Sequence, residues 1–276
     1  MPQSFWRRFV RNRPAVFGLA FLVFVVLLSL GAPLLFPGDP FSIVGKTFLP
    51  PLGDYLFGTD SLGRDIAAGI AHGGRTSLMV GLVATFFAVS VGTLLGALAG
   101  FYRGWIDDAL MRFTEFFQTI PTFLFAIVLV AIMTPSRGSI ILAISVISWP
   151  PIARLVRGEF MAMREREFVQ AAVSLGMTDL AIIFRQILPN VLSPIIVAGS
   201  LMVATAILIE AALAFLGLGD ANAMSWGFMI GAGRSFLRDA WWLCAIPGIA
   251  ILLTVLSINL LGEGINDALN PRLRTL

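Results

Sequence analysis

The stretch Phe168–Asn190, FVQAAVSLGMTDLAIIFRQILPN, is unlike the chain on either side of it. It carries Asp179 and Arg185, breaks at Gly176 and meets Pro189, while its neighbours are long uncharged apolar runs. It is unsuited to crossing a bilayer, so its reading decides how those runs are arranged. Phe168, Ala171, Ala172 and Leu175 recur at i, i+3, i+4 and i+7 and define one helical face. Arg164, Glu165, Arg166 and Glu167 mark a hydrated turn before that face. Gly176 suits the left-handed position that closes a helix. Thr178 or Asp179 can cap a second helix, and Pro189 is expected to end it near Asn190. The pattern predicts helix, tight turn, helix beside a membrane surface. Paired alanines let another surface approach the backbone, which suits docking of a partner protein. An amphipathic hairpin resting on lipid headgroups satisfies the same periodicity.

Working outward, the composition is that of an integral membrane protein. The 276 residues are 58% hydrophobic and 13% charged, against roughly 25% charge in a soluble domain. Crossing about 30 Å of hydrocarbon takes about 20 apolar residues in a helix. Six runs qualify: Ala15–Leu35, Ser77–Phe101, Phe116–Pro135, Gly138–Ala153, Val191–Leu218 and Ala240–Gly262. The fourth is short, closed off by Arg137 and Arg154, and is expected to stand nearly upright. The first exceeds the ~7–15 apolar residues of a signal core, so a retained span is expected, although Ser29–Ala32 could pass for a cleavage site.

Six spans place both termini on one side. That side holds Arg7, Arg8, Arg11 and Arg13, the turn with Arg103 and Arg112, the loop from Arg154 to Arg185, and Arg272 and Arg274. The other side has Lys46, Arg64, Arg75, Arg137, Arg234 and Arg238. The positive-inside rule puts both termini and the Phe168–Asn190 stretch in the cytoplasm, with Trp241 and Trp242 at the outer entrance of the last span. The net charge of +3 therefore reports topology rather than nucleic acid. In the outer segment before the second span, Thr59 or Asp60 is expected to cap a short helix with Asp60 and Arg64 one turn apart.

Chemistry of the enzymatic kind is sparse. One cysteine, Cys244, and one histidine, His72, supply neither a disulfide framework nor a Cys- or His-rich metal site. VGKT at Val44–Thr47 lacks the glycine of a phosphate-binding loop, because Pro40 stands there, and Gly217-Leu218-Gly219 fails as a dinucleotide fingerprint at Asn222. Glu210 is the one ionisable residue inside a span. It either lines a path through the membrane or ties two helices together near the outer end. Gly92, Gly96 and Gly100 form a four-spaced face suited to close helix contact, with a partner subunit or within the chain.

The motifs in order are FGTDSLGRD, RTSLMVGL, FVQAA, RQILPN, EAALAFLGLG, SWG, WW…PGIAI and NLLGEG…NPRLR. Together they resemble the C-type permease subunit of dipeptide, oligopeptide, glutathione and nickel ABC importers. Ala171-Ala172, Gly176 and Leu188-Pro189 look like the "EAA" loop of those permeases. The resemblance implies an all-α polytopic protein of the type I permease fold, with six transmembrane helices, in a bacterial cytoplasmic membrane. Residues 1–72 would hold the tail, first span and outer loop, and 73–276 a five-helix core with the coupling loop at about 159–190. It further implies that Gln170, Ala171, Ala172, Gly176, Met177, Thr178, Leu188 and Pro189 dock an ATPase. Implied partners are a second permease, two ATPase subunits binding ATP and Mg, an extracytoplasmic binding protein and a peptide-like substrate; this chain itself would hold no cofactor. Gln170 departs from the motif's usual glutamate, and Val173 stands where an arginine is common. The rival is an ion-coupled secondary transporter, which calls for buried carboxylates or broken helices in related halves.

Overall fold

A computed structural model describes residues 9–269; the arginines at positions 7, 8, 272 and 274 lie outside them. Among the described residues the regular structure is helical, apart from a single bridge between Thr59 and Asp65. Helix α1 spans Arg13–Leu30, capped by Asn12, whose side chain accepts from the Ala15 N–H at 3.1 Å. Gly31 separates it from a short helical turn at Ala32–Leu35. Helix α2 runs Ile66–Tyr102, about 55 Å at 1.5 Å per residue. It begins well before the expected Ser77, because Asp65 caps it by accepting from the Ala67 N–H. The expected outer helix capped by Thr59 or Asp60 does not form. Asp60 instead accepts from the backbone N–H groups of Leu62 and Arg64 in a tight turn, and the Arg64 guanidinium stays 4.0 Å from its carboxylate.

The expected third span, Phe116–Pro135, is corrected. Helix α3 (Gly104–Thr119) and helix α4 (Thr122–Met133) meet at an 82° bend. Ile120 precedes Pro121 and is held extended, at φ −87° and ψ 129°, as the prolyl ring demands of its predecessor. At 12 residues, α4 is about 18 Å long, so this crossing counts as a span only as a bent pair. Among the described residues, five other helices are long and apolar enough to cross. The fourth is longer than expected: α5 is continuous over Arg137–Arg164, opened by a reciprocal Ser136–Ser139 capping box and passing through Pro150 and Pro151. Arg154 does not end it; the helix projects past the apolar zone.

Helix α6 (Glu167–Ser174) follows, then a turn, then one long rod. That rod starts at Asp179, loosens to a π-helix over Ile182–Ile187 and becomes α7, Leu188–Leu213. Helix α8 (Trp226–Gly233) and helix α9 (Trp242–Leu269) follow, the last α-helices among the described residues.

The core is built around α2. The glycine face of α2 packs inside the chain: a Cβ on Gly92 would meet the Trp149 carbonyl oxygen at 2.7 Å, and one on Gly100 the Arg157 carbonyl oxygen at 2.6 Å. Gly96 abuts the Ala153 carbonyl in the same way. Of the two partners open to this face, the structure selects α5. Helix α1 lies along α9, where Gly18 leaves room for the Ser257 carbonyl. At one end of the bundle the 36–65 and 219–241 segments meet, through Phe41 on Phe228 and Phe48 on Phe236. The opposite end carries α3, the tail of α5, and α6.

Candidate coupling element

The element begins where α5 leaves the bundle. Arg166 is extended and its carbonyl accepts from the N–H groups of Val169 and Gln170, starting α6. Helix α6 ends in a complete Schellman motif: the Gly176 N–H reaches the Val173 carbonyl and the Met177 N–H the Ala172 carbonyl. Gly176 sits at φ +73°, and a Cβ there would meet nothing within 4 Å. The position therefore selects glycine by backbone conformation alone. The Thr178 hydroxyl caps the next helix, accepting from the Ala181 N–H at 3.4 Å.

The expectation that Pro189 ends this second helix is corrected. At the π-turn the Leu188 N–H bonds to the Ile183 carbonyl, five residues back. The wider turn lets the prolyl ring pass without ending the helix, so the rod enters α7 unbroken. A force on the element thus reaches a membrane span through one continuous helix.

Burial divides the expected face in two. Val169, Ala172, Ile182, Ile183 and Ile187 are buried against Phe101, Val156 and Phe160. Outward stand Phe168, Val173, Leu175, Leu180 and Phe184, with Leu175 83% exposed. Gln170, Ala171, Gly176, Thr178 and Pro189 are not buried, and Met177 and Leu188 are half-buried. The two alanines therefore differ: Ala172 seats the element on its own chain and Ala171 is presented. Anchor residues such as Val169 and Ile183 lie outside the periodic pattern first read from the sequence. An exposed apolar patch of this kind marks an interaction site, for a protein or for the membrane surface.

Polar contacts that the sequence reading missed hold the element's base. Arg157 on α5 makes a bidentate pair with Asp107 on α3, at 2.5 and 2.6 Å, and the Asp107 side chain is 9% exposed. Arg103, in the left-handed region at φ +57°, is fixed by Glu165 at 2.6 Å and by the Met161 carbonyl at 3.1 Å. Arg154 donates to Gln118 at 2.8 Å, and Arg164 lies over the Phe101 ring. Asp107 falls in the amphipathic run Gly104–Thr119, the one signal that could have drawn attention to it.

Glu210 lies far from this element. It is 2% exposed and accepts from Ser225 at 2.7 Å and Ser77 at 3.3 Å, joining α7 to α8 and α2. Ser77 Oγ in turn accepts from the Trp226 N–H, and the Trp226 indole donates to the Ile70 carbonyl. Glu210→Gln keeps an acceptor and the same shape. We expect its uptake rate to stay within about twofold of the parent, whereas Glu210→Leu strands two buried hydroxyls at roughly 1–3 kcal/mol each and lowers the melting temperature in detergent. A sharp fall in uptake by a stably folded Glu210→Gln variant would instead put the carboxylate on the transport route.

Residues 92–275 match the family model described as binding-protein-dependent transport system inner membrane component, and residues 2–51 match the N-terminal TM domain of oligopeptide transport permease C. The di/tripeptide transport system permease protein DppC of Pseudomonas aeruginosa (strain UCBPP-PA14) is 38% identical over 99% of this chain and 92% of its own length. The glutathione transport system permease protein GsiD of Pectobacterium atrosepticum is likewise 38% identical over 99% of this chain and 92% of its own. In fold, the chain is similar to a subunit of the inward-facing MetNI methionine ABC transporter, with TM-score 0.60 and 19% identity over 73% of this chain and 96% of that one.

Proposed function

The chain belongs to the binding-protein-dependent transport system inner membrane component family, and on that premise we propose that it forms half of the translocation path of an ATP-driven importer of short peptides. As a family member it is a multi-pass bacterial inner-membrane transport subunit and not an enzyme; ATP is hydrolysed on separate subunits. The peptide reading rests on identity of 38% to a named di/tripeptide permease across 99% of the chain. The glutathione relative has the same coverage, and glutathione is itself a short peptide, so the chemical class is shared.

In this mechanism a binding protein delivers cargo at the end of the bundle formed by the 36–65 and 219–241 segments. A second permease closes the other side of the path. The ATPases dock at the opposite, cytoplasmic end on Phe168, Ala171, Leu175 and Leu180. ATP closes the ATPase pair, α6 and the Asp179 rod move with it, and α5 and α7 tilt to open the path outward; hydrolysis resets them. The observation that supports this role is the bare apolar face of an otherwise anchored hairpin, continuous with α7. Radiolabelled dipeptide uptake tests it in cells: deletion of the partner ATPase should abolish uptake, while an uncoupler that spares ATP should leave it. Uptake that survives the deletion and collapses with the uncoupler would identify an ion-coupled carrier instead.

A further inference from the structure

Glu210 is engaged by its two serines, whereas other charges on the chain stand open. At the end of the bundle away from the coupling element lies an open cleft of about 670 Å³, lined by Asp39, His72, Arg75, Met79, Arg137 and Asn222 among others. Its size suits a small organic ligand, since such sites run to about 300–1,000 Å³. Four separate parts of the chain build it: the loop after α1, the early turns of α2, the start of α5, and the loop before α8.

Its charges are unequally engaged. The Arg137 guanidinium is 3.4 Å from Asp220, whose carboxylate also accepts from the Arg137 backbone N–H at 3.1 Å. His72 Nε2 lies 3.1 Å from the Phe36 carbonyl oxygen. Asp39 accepts one hydrogen bond, from the Phe41 N–H at 2.9 Å, and its carboxylate is otherwise open. Arg75 is exposed, and its side chain has no hydrogen-bond or ion-pair partner among the described residues. The cleft thus offers one free guanidinium and one largely free carboxylate, an arrangement complementary to a zwitterion.

Below Arg75, Met79, Leu82 and Phe86 follow at i+4, i+7 and i+11, on one helical face, and all three are exposed. No charged residue occurs from Thr76 to Tyr102. Arg75 is therefore the last cation before a smooth apolar strip on the central helix. Such a strip lets cargo move on without a second charged trap.

We propose that this cleft is an outer binding site for the two ends of a short peptide, Arg75 taking the terminal carboxylate and Asp39 the terminal ammonium. The assignment rests on the peptide-importer reading and adds the residues that receive the cargo. Guanidinium and carboxylate pair through planar, charge-assisted hydrogen bonds, and a neutral side chain at position 75 forfeits them.

The test uses the complete importer with its binding protein in proteoliposomes, with Arg75→Cys placed in a Cys244→Ser background and dialanine as cargo. A charged hydrogen bond of about 1.5–3 kcal/mol makes the expected loss about tenfold or more in uptake at subsaturating dialanine, while ATP hydrolysis stimulated by the binding protein stays within about twofold. Labelling the introduced thiol of the Arg75→Cys variant from outside with a trimethylammonium-ethyl thiosulfonate should restore part of the uptake, and a sulfonatoethyl reagent should not. Arg75→Lys should retain more uptake than Arg75→Gln, which covers the case of a cysteine variant that fails to assemble. Equal uptake whatever the charge at position 75 overturns the assignment, as does an introduced thiol there that no outside reagent reaches in the assembled importer. Failure of the unaltered importer to carry dialanine would instead sink the peptide reading beneath it.

Discussion

Leu175→Asp is expected to leave a folded permease that no longer holds its ATPase. Leu175 is 83% exposed at the tip of α6 and contributes nothing to the chain's own core, so the substitution should not lower the melting temperature of the isolated subunit. A central apolar anchor at a protein interface is worth about 2 kcal/mol or more when lost, which is roughly thirtyfold in affinity, and a buried carboxylate adds a desolvation penalty. Copurification of the ATPase and dipeptide uptake should both fall by at least that factor. Ala172→Asp provides the contrast, because Ala172 is buried against the chain itself and its replacement should destabilise the subunit outright. If Leu175→Asp keeps the ATPase and its uptake, the bare face of α6 is not the docking surface.

The second large effect belongs to the pair between Asp107 and Arg157. Removing one partner of a buried ion pair costs roughly 3–5 kcal/mol. The Arg157 side chain is 34% exposed, and water recovers part of that loss, leaving about 2 kcal/mol. Asp107→Ala and Arg157→Ala should each lower stability, and the double variant should be little worse than either, giving a coupling of about 1.5 kcal/mol or more in a thermodynamic cycle. The mechanical consequence is larger. Helix α3 is tied to the tail of α5 through this pair, through Arg103 with Glu165, and through Arg154 with Gln118. With the strongest of these three ties cut, α5 carries α3, and with it the bent pair, less firmly. Uptake per ATP hydrolysed should then drop severalfold in reconstituted importer. Strictly additive single effects, together with an unchanged ratio of uptake to hydrolysis, would reduce the pair to an incidental surface contact.

The features legible in the sequence are those set by a few neighbouring residues. Apolar run length announced the spans, since a helix must satisfy its own backbone in lipid. The left-handed turn at Gly176 and the Thr178 cap were readable because both depend on adjacent backbone geometry. Even local signals failed where a wider context could absorb them. Pro189 did not stop its helix, because the π-turn before it supplied the room. Arg154 did not stop α5, because its head reaches Gln118 on another helix.

What only the tertiary structure decided was the direction each helix faces and what it meets. The glycines at 92, 96 and 100 fitted a partner permease or an internal neighbour equally well in one dimension; α5 lies there, within contact of their backbone. Ala171 and Ala172 are indistinguishable by type, and only packing in the cluster with Val156 and Phe160 buries Ala172 while leaving Ala171 bare. Glu210 finds Ser77, and Arg157 finds Asp107, across separations of 133 and 50 residues. Apolar length and turn geometry are local quantities and were therefore determined by the sequence alone, whereas contact between distant side chains depends on how all the helices pack at once.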